Sequence, residues 1–112
     1  MTIKLERLEQ IIRKEVSEIL QFEVKDPNAK FITVTDVELT RDLSIAKIFV
    51  TFLNKEVSNE EQMATLEKAK GFIRSELGSR LTIRKVPELL FKIDDSLEKG
   101  NRIDEILKNS KV

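Results

Sequence analysis

Hydrophobic positions recur first with a helical period and then with a strand period along this chain. Leu5, Leu8, Ile12, Val16 and Ile19 repeat at helical spacing, and Ile11, Leu20 and Phe22 widen the stripe, so the chain opens with a long amphipathic helix. Asp26–Pro27–Asn28 ends it, because proline disfavours helical geometry in the residue before it and asparagine suits a turn. Two β-rich runs follow, over residues 31–39 and 45–53, joined by Thr40–Arg41–Asp42–Leu43–Ser44. This pattern predicts an antiparallel hairpin. Within the first run the apolar phase moves from Ile32 and Val34 to Val37 and Leu39, which places a bulge near Thr35–Asp36.

Ser58 and Glu61 have the spacing of a capping box, in which side-chain oxygens satisfy free amides at a helix start. Over residues 59–81 one helical sector holds Met63, Leu66, Ile73, Leu77 and Leu81, and it also holds Lys70. A straight helix would press the Lys70 ammonium toward the core, where an unpaired charge is costly. A bend at Ala69, Lys70 and Gly71 removes the conflict, since alanine lets helix ends approach and glycine weakens helix continuation. The alternative is an unbroken helix along which Lys70 snorkels. Pro87 suits a strand start, and Leu89–Leu90–Phe91–Lys92–Ile93 reads as a third strand. The element order is then α-β-β-α-bend-α-β, an α+β fold with a three-stranded sheet. Past Asp94–Asp95–Ser96, Ile103, Ile106 and Leu107 share a helical face with Asn101 as candidate cap, so residues from about 97 to 112 read as a short helical tail. With no repeat or linker, residues 1–112 form a single domain.

Composition narrows the chemistry. At 112 residues, with 40% hydrophobic and 36% charged, the chain buries one modest core. It has no cysteine and no histidine, which excludes disulfides, thiolate nucleophiles, Cys/His zinc sites and imidazole bases, and leaves a carboxylate-only metal site open. Asp94–Asp95 could pair as acids, but neighbours on a strand point to opposite faces. Ser75 and Ser79 have no histidine, and three glycines write neither a P-loop nor a dinucleotide fingerprint. No catalytic residue, metal or cofactor is expected. The N-terminus turns charged at once and no run reaches membrane-span length, which points to a cytoplasmic protein.

Net charge is zero, but its distribution is uneven. Residues 68–92 carry a local excess of five cations and residues 54–67 a deficit of three. Lys68, Lys70, Arg74, Arg80, Arg84 and Lys85 are therefore the candidate phosphate contacts, with Arg7, Arg13 and Lys14 of the first helix as the fallback. Charged runs also commonly do no more than solvate helix exteriors.

Several segments together resemble one family. They are Lys25–Asp26–Pro27, Thr33–Val34–Thr35–Asp36–Val37–Glu38, Arg41–Asp42–Leu43–Ser44–Ile45–Ala46–Lys47 and Val50–Thr51–Phe52–Leu53, then Ala69–Lys70–Gly71–Phe72–Ile73–Arg74–Ser75, Val86–Pro87–Glu88–Leu89 and Asp94–Asp95–Ser96–Leu97–Glu98–Lys99–Gly100. The chain is similar to the ribosome-binding factor A family of bacterial small-subunit assembly factors over about residues 5–107. The resemblance implies a type II KH-like fold in which Ala69, Lys70 and Gly71 replace the GXXG loop. It also implies a non-enzymatic, monomeric protein that binds the free small (30S) ribosomal subunit and 16S rRNA and promotes late maturation and 5′-end processing of the precursor. Importance in the cold follows from it too, with neither DNA nor membrane as partner. Without GXXG the backbone clamp on single-stranded nucleotides is lost, and with no Trp or Tyr base stacking is minor, so phosphate contacts should dominate. The competing class is a protein–protein adaptor using the exposed sheet or the tail helix.

Overall fold

The computed structural model describes residues 2–94 apart from 82 and 84, with side chains from residue 4. The expected tail helix with Ile103, Ile106 and Leu107 lies outside the described residues. Helix α1 (Thr2–Glu18) leads through a π-helical turn (Ile19–Glu23) and a 3-10 turn (Pro27–Phe31) into strands β1 (Ile32–Leu39) and β2 (Ile45–Phe52). Helix α2 (Asn59–Leu81) then crosses over to β3 (Glu88–Ile93). The sheet order is β1-β2-β3, with β1 antiparallel and β3 parallel to β2. This is the α+β architecture anticipated from the periodicity.

The core lies between the helices and one face of the sheet. Ile12, Val16 and Ile19 meet Val34, Val37, Ile48, Val50, Leu66, Ile73, Leu77, Leu89 and Phe91 there, all buried. The β1 phase shift is absorbed as anticipated. The register slips between Val34 and Asp36, so Val34 and Val37, three residues apart, both face inward. The Thr35 hydroxyl at the bulge donates to the Asp94 carboxylate, with the Phe49 carbonyl as the competing acceptor at 3.3 Å, which fastens the end of β3 to β1 across β2.

Two expectations need correction. The first is the separate helix expected to start after Ala69–Lys70–Gly71: α2 is continuous from Asn59 to Leu81, so the order is α-β-β-α-β. Its buried residues Leu66, Ile73 and Leu77 form one stripe through the proposed break. Lys70 causes no conflict because it lies at the margin of that stripe. Its side chain keeps 29% exposure and its Nζ stands 2.9 Å from Glu67 Oε1, one turn earlier. Gly71 sits on the exposed side, where an added Cβ would meet nothing within 4 Å. The second correction concerns the widening of the α1 stripe, since Ile11 is 39% and Phe22 76% exposed. The π-helical turn adds a residue to the last coil of α1, closes with Val24 N–H donating to the Ile19 carbonyl at 3.0 Å, and rotates Phe22 outward while Ile19 and Leu20 stay buried.

Local capping follows the sequence. Ser58 Oγ accepts from the Glu61 amide at 3.1 Å at the start of α2. Asp26 accepts from the Asn28 amide at 3.0 Å and opens the 3-10 turn with Pro27 in its first position. Buried Gln62 donates from Nε2 to the Asn54 and Val57 carbonyls, at 3.0 and 3.1 Å, and so ties the β2–α2 loop to the helix. In the hairpin turn Asp42 Oδ1 accepts from the Ser44 amide at 3.1 Å and from the Ser44 and Thr40 hydroxyls at 2.7 Å. Those bonds, the Ser44 hydroxyl first, lower the Asp42 carboxyl pKa to about 2.

Candidate nucleic-acid interface

Helical phase distributes the cations of α2 around its axis. Lys68 faces away from the buried stripe, Lys70 and Arg74 flank one margin, and Arg80 lies toward α1. Arg74 is engaged internally: Nε donates to the Pro87 carbonyl at 3.2 Å and Nη2 to the Val86 carbonyl at 2.9 Å. It therefore holds the segment entering β3 against α2. Arg80 is engaged more heavily still. Its Nη1 lies 3.0 Å from Glu15 Oε1 and 3.3 Å from Glu18 Oε1, with Glu23 at 3.7 Å and Glu76 at 3.9 Å. The hydrogen bond to Glu15, outweighing partial burial, holds the guanidinium pKa above its usual value. Arg80 is thus a bolt between α2 and the end of α1.

The other candidates are freer. Lys68 and Lys85 are exposed and have no ion pair among the described residues. Lys70 pairs with Glu67, whose side chain is 54% exposed, and a surface pair of that kind competes weakly with another anion. The Arg84 side chain lies outside the described residues. Among the described candidates, Arg74 and Arg80 are committed to internal partners, and Lys68 and Lys70 face different sides of α2.

The first helix carries cations of equal number and greater freedom. Lys4, Arg7, Arg13 and Lys14 are all exposed, and among the described residues none has an ion pair. Local charge counting ranked them second because α1 also carries Glu6, Glu9, Glu15 and Glu18. Arg80 stands 65 residues from Glu15, so no short-range pattern announces their pairing.

A three-stranded mixed sheet with both helices on one face defines a small α+β domain of KH-like type. Comparison with known proteins narrows the class. A family model described as ribosome-binding factor A matches residues 4–107. Among curated relatives, the ribosome-binding factor A of Natranaerobius thermophilus is 48% identical over 95% of this chain and 81% of its own length, and that of Staphylococcus carnosus is 47% identical over 96% and 93%. The crystal structure of ribosome-binding factor A from Thermus thermophilus superposes with a TM-score of 0.71 at 25% identity, covering 80% of this chain and 94% of that one. A solution structure of a putative ribosome binding factor A from Thermotoga maritima gives 0.66 at 32% identity, covering 77% and 82%. The chain belongs to the ribosome-binding factor A family.

Proposed function

We propose that this protein is a ribosome biogenesis factor that binds the free small ribosomal subunit through 16S rRNA and promotes late maturation, including processing of the precursor 5′ end. The observation that carries this reading is family membership over nearly the whole chain, with matching architecture. A model of the Thermus thermophilus relative has been fitted into a cryo-EM map of a 30S complex with that protein, which supports the same partner here. The protein acts by binding alone, for a chain without histidine or cysteine is poorly equipped to activate a nucleophile, and it works as a cytoplasmic monomer. Lys68, Lys70 and Lys85 are available for phosphate contacts, and the need is greatest in the cold, where misfolded RNA escapes slowly.

The test is a titration of purified 30S subunits at several salt concentrations, alongside precursor 16S rRNA levels in cells lacking the protein. Steep salt dependence and precursor accumulation that worsens in the cold are expected. Exposed Leu53 and Ile93, which line an open groove with Phe52 and Val57 at the end of β2, favour a second, protein-binding role. Salt-insensitive binding to a target without RNA would establish that role instead.

A further inference from the structure

Helix α1 is neutral as written, with four cations and four carboxylates between Thr2 and Glu18. The fold turns three of the four carboxylates away from Arg7 and Lys14, while Glu6 stays exposed on the Arg13 side of the helix. Glu9 turns inward, where its Oε2 accepts from the Leu39 amide at 2.8 Å. Glu15 and Glu18 turn sideways to Arg80 at 3.0 and 3.3 Å. All four cations stay exposed.

Helical phase decides which of them share a face. Buried Ile12, Val16 and Ile19 mark the inner side, and Arg7, Gln10 and Lys14 form the row opposite, all exposed. That row offers hydrogen-bond donors and no carboxylate, the side-chain chemistry that RNA phosphates accept. At 1.5 Å rise per residue Arg7 and Lys14 stand about 10 Å apart, with Gln10 between them. The position of Glu18 is decisive. It lies four residues after Lys14, a spacing at which the two would ordinarily pair and cancel. Arg80 reaches across from α2 and takes Glu18 instead, leaving Lys14 without an ion pair among the described residues.

We propose that the outward row of α1, centred on Arg7 and Lys14, docks on the phosphodiester backbone of rRNA, and that Arg80 is a positioning residue that holds Glu15 and Glu18 off that surface. The inference rests on the rRNA-binding reading above and names its surface. Arg80, the α2 cation richest in partners, contributes without touching RNA.

The full chain is titrated against purified 30S subunits at several salt concentrations, each variant first checked for a wild-type melting profile. Arg7→Gln with Lys14→Gln should weaken binding about tenfold or more at moderate salt and flatten the log–log salt slope by about two units. Arg80→Ala should flatten it by about one unit, because the released Glu18 neutralises Lys14. Adding Glu15→Gln and Glu18→Gln to Arg80→Ala should restore the wild-type slope. A triple variant that stays weak would mean Arg80 itself contacts phosphate and would overturn the positioning role. If Arg80→Ala fails the melting check, the α1 double variant decides the matter alone. An unchanged slope in that variant, or weaker binding with no change of slope as a protein contact would give, overturns the α1 surface. Wild-type protein that does not bind subunits at all removes the functional reading itself, an outcome distinct from loss confined to the variants.

Discussion

Two glycines on α2, seven residues apart, should respond to the same substitution with opposite sign. Gly71 lies on the exposed side of a continuous helix, and an added Cβ would meet nothing within 4 Å. Alanine there therefore collects the full difference in helix propensity, about 1 kcal/mol, which for a domain of this size raises Tm by roughly 4 °C. At Gly78 the added Cβ would lie 2.6 Å from Val86 Cγ2. Val86 is β-branched, and it cannot retreat freely because its carbonyl accepts from Arg74 and Pro87 follows it. Overpacking of that kind costs about 1–3 kcal/mol. Set against the same propensity gain, Gly78→Ala should destabilise by up to about 2 kcal/mol and lower Tm by up to about 8 °C.

Thermal and urea unfolding followed by far-UV circular dichroism measure both variants, with the urea m-value checked for constancy so that midpoints report stability. A destabilised Gly71→Ala would show that the helix breaks at Ala69–Lys70–Gly71, as the sequence pattern alone suggests, and the description of α2 as one helix would fall. A stabilised Gly78→Ala would mean that Val86 does not pack against the helix.

The folded Asp42 carboxyl titrates at about 2 against an ordinary 3.8, so its contribution to stability is fully present above about pH 4 and fades as pH falls toward 2. Carboxyl NMR titration should show this depressed midpoint, and Ser44→Ala should move it upward; a wild-type midpoint near 3.8 refutes the turn geometry. Leu43 holds a left-handed backbone with φ of 60° at a 38% exposed position, so Leu43→Asn should be stabilising by up to about 1 kcal/mol in urea unfolding, and a loss would show that its side chain packs. Leu77, fully buried between α2 and the sheet, should cost about 2–5 kcal/mol as Leu77→Ala, a large part of the stability of a domain this small; a melting point within a degree or two of wild type would place it outside the core.

What the sequence made legible was local. The β1 bulge could be read because an apolar phase of period two has only one way to skip a residue and keep both halves facing the core. Pro87 could open a strand and not continue one, and β3 begins at Glu88. Ser58 capped α2 because its hydroxyl needs only the amide three residues on. The continuity of α2 failed to emerge for a reason that is also local: weight fell on Lys70 within the stripe, when Glu67 one turn earlier already offered its ammonium a partner at the margin. The π-helical turn had no such signal. It becomes necessary only because Ile19 and Leu20 must both reach a core built from β1, β2 and α2.

Charge is where sequence order misleads most. Counting cations in a window ranks residues 68–92 first, since seven basic side chains stand there against two acids, and it ranks α1 as neutral. The fold reverses that order by spending carboxylates of one helix on an arginine of the other. Glu15 and Glu18 neutralise Arg80 across the α1–α2 seam, so the pairing subtracts from the positive surface of α2 and adds to that of α1 in one step. A chain with zero net charge can then present a cationic face to a polyanion, because a docking surface depends on the charges left outside after folding. It follows that an Arg80 variant should be judged by what it releases on α1 as well as by what it removes from α2, and the Glu15 and Glu18 background substitutions separate those two effects.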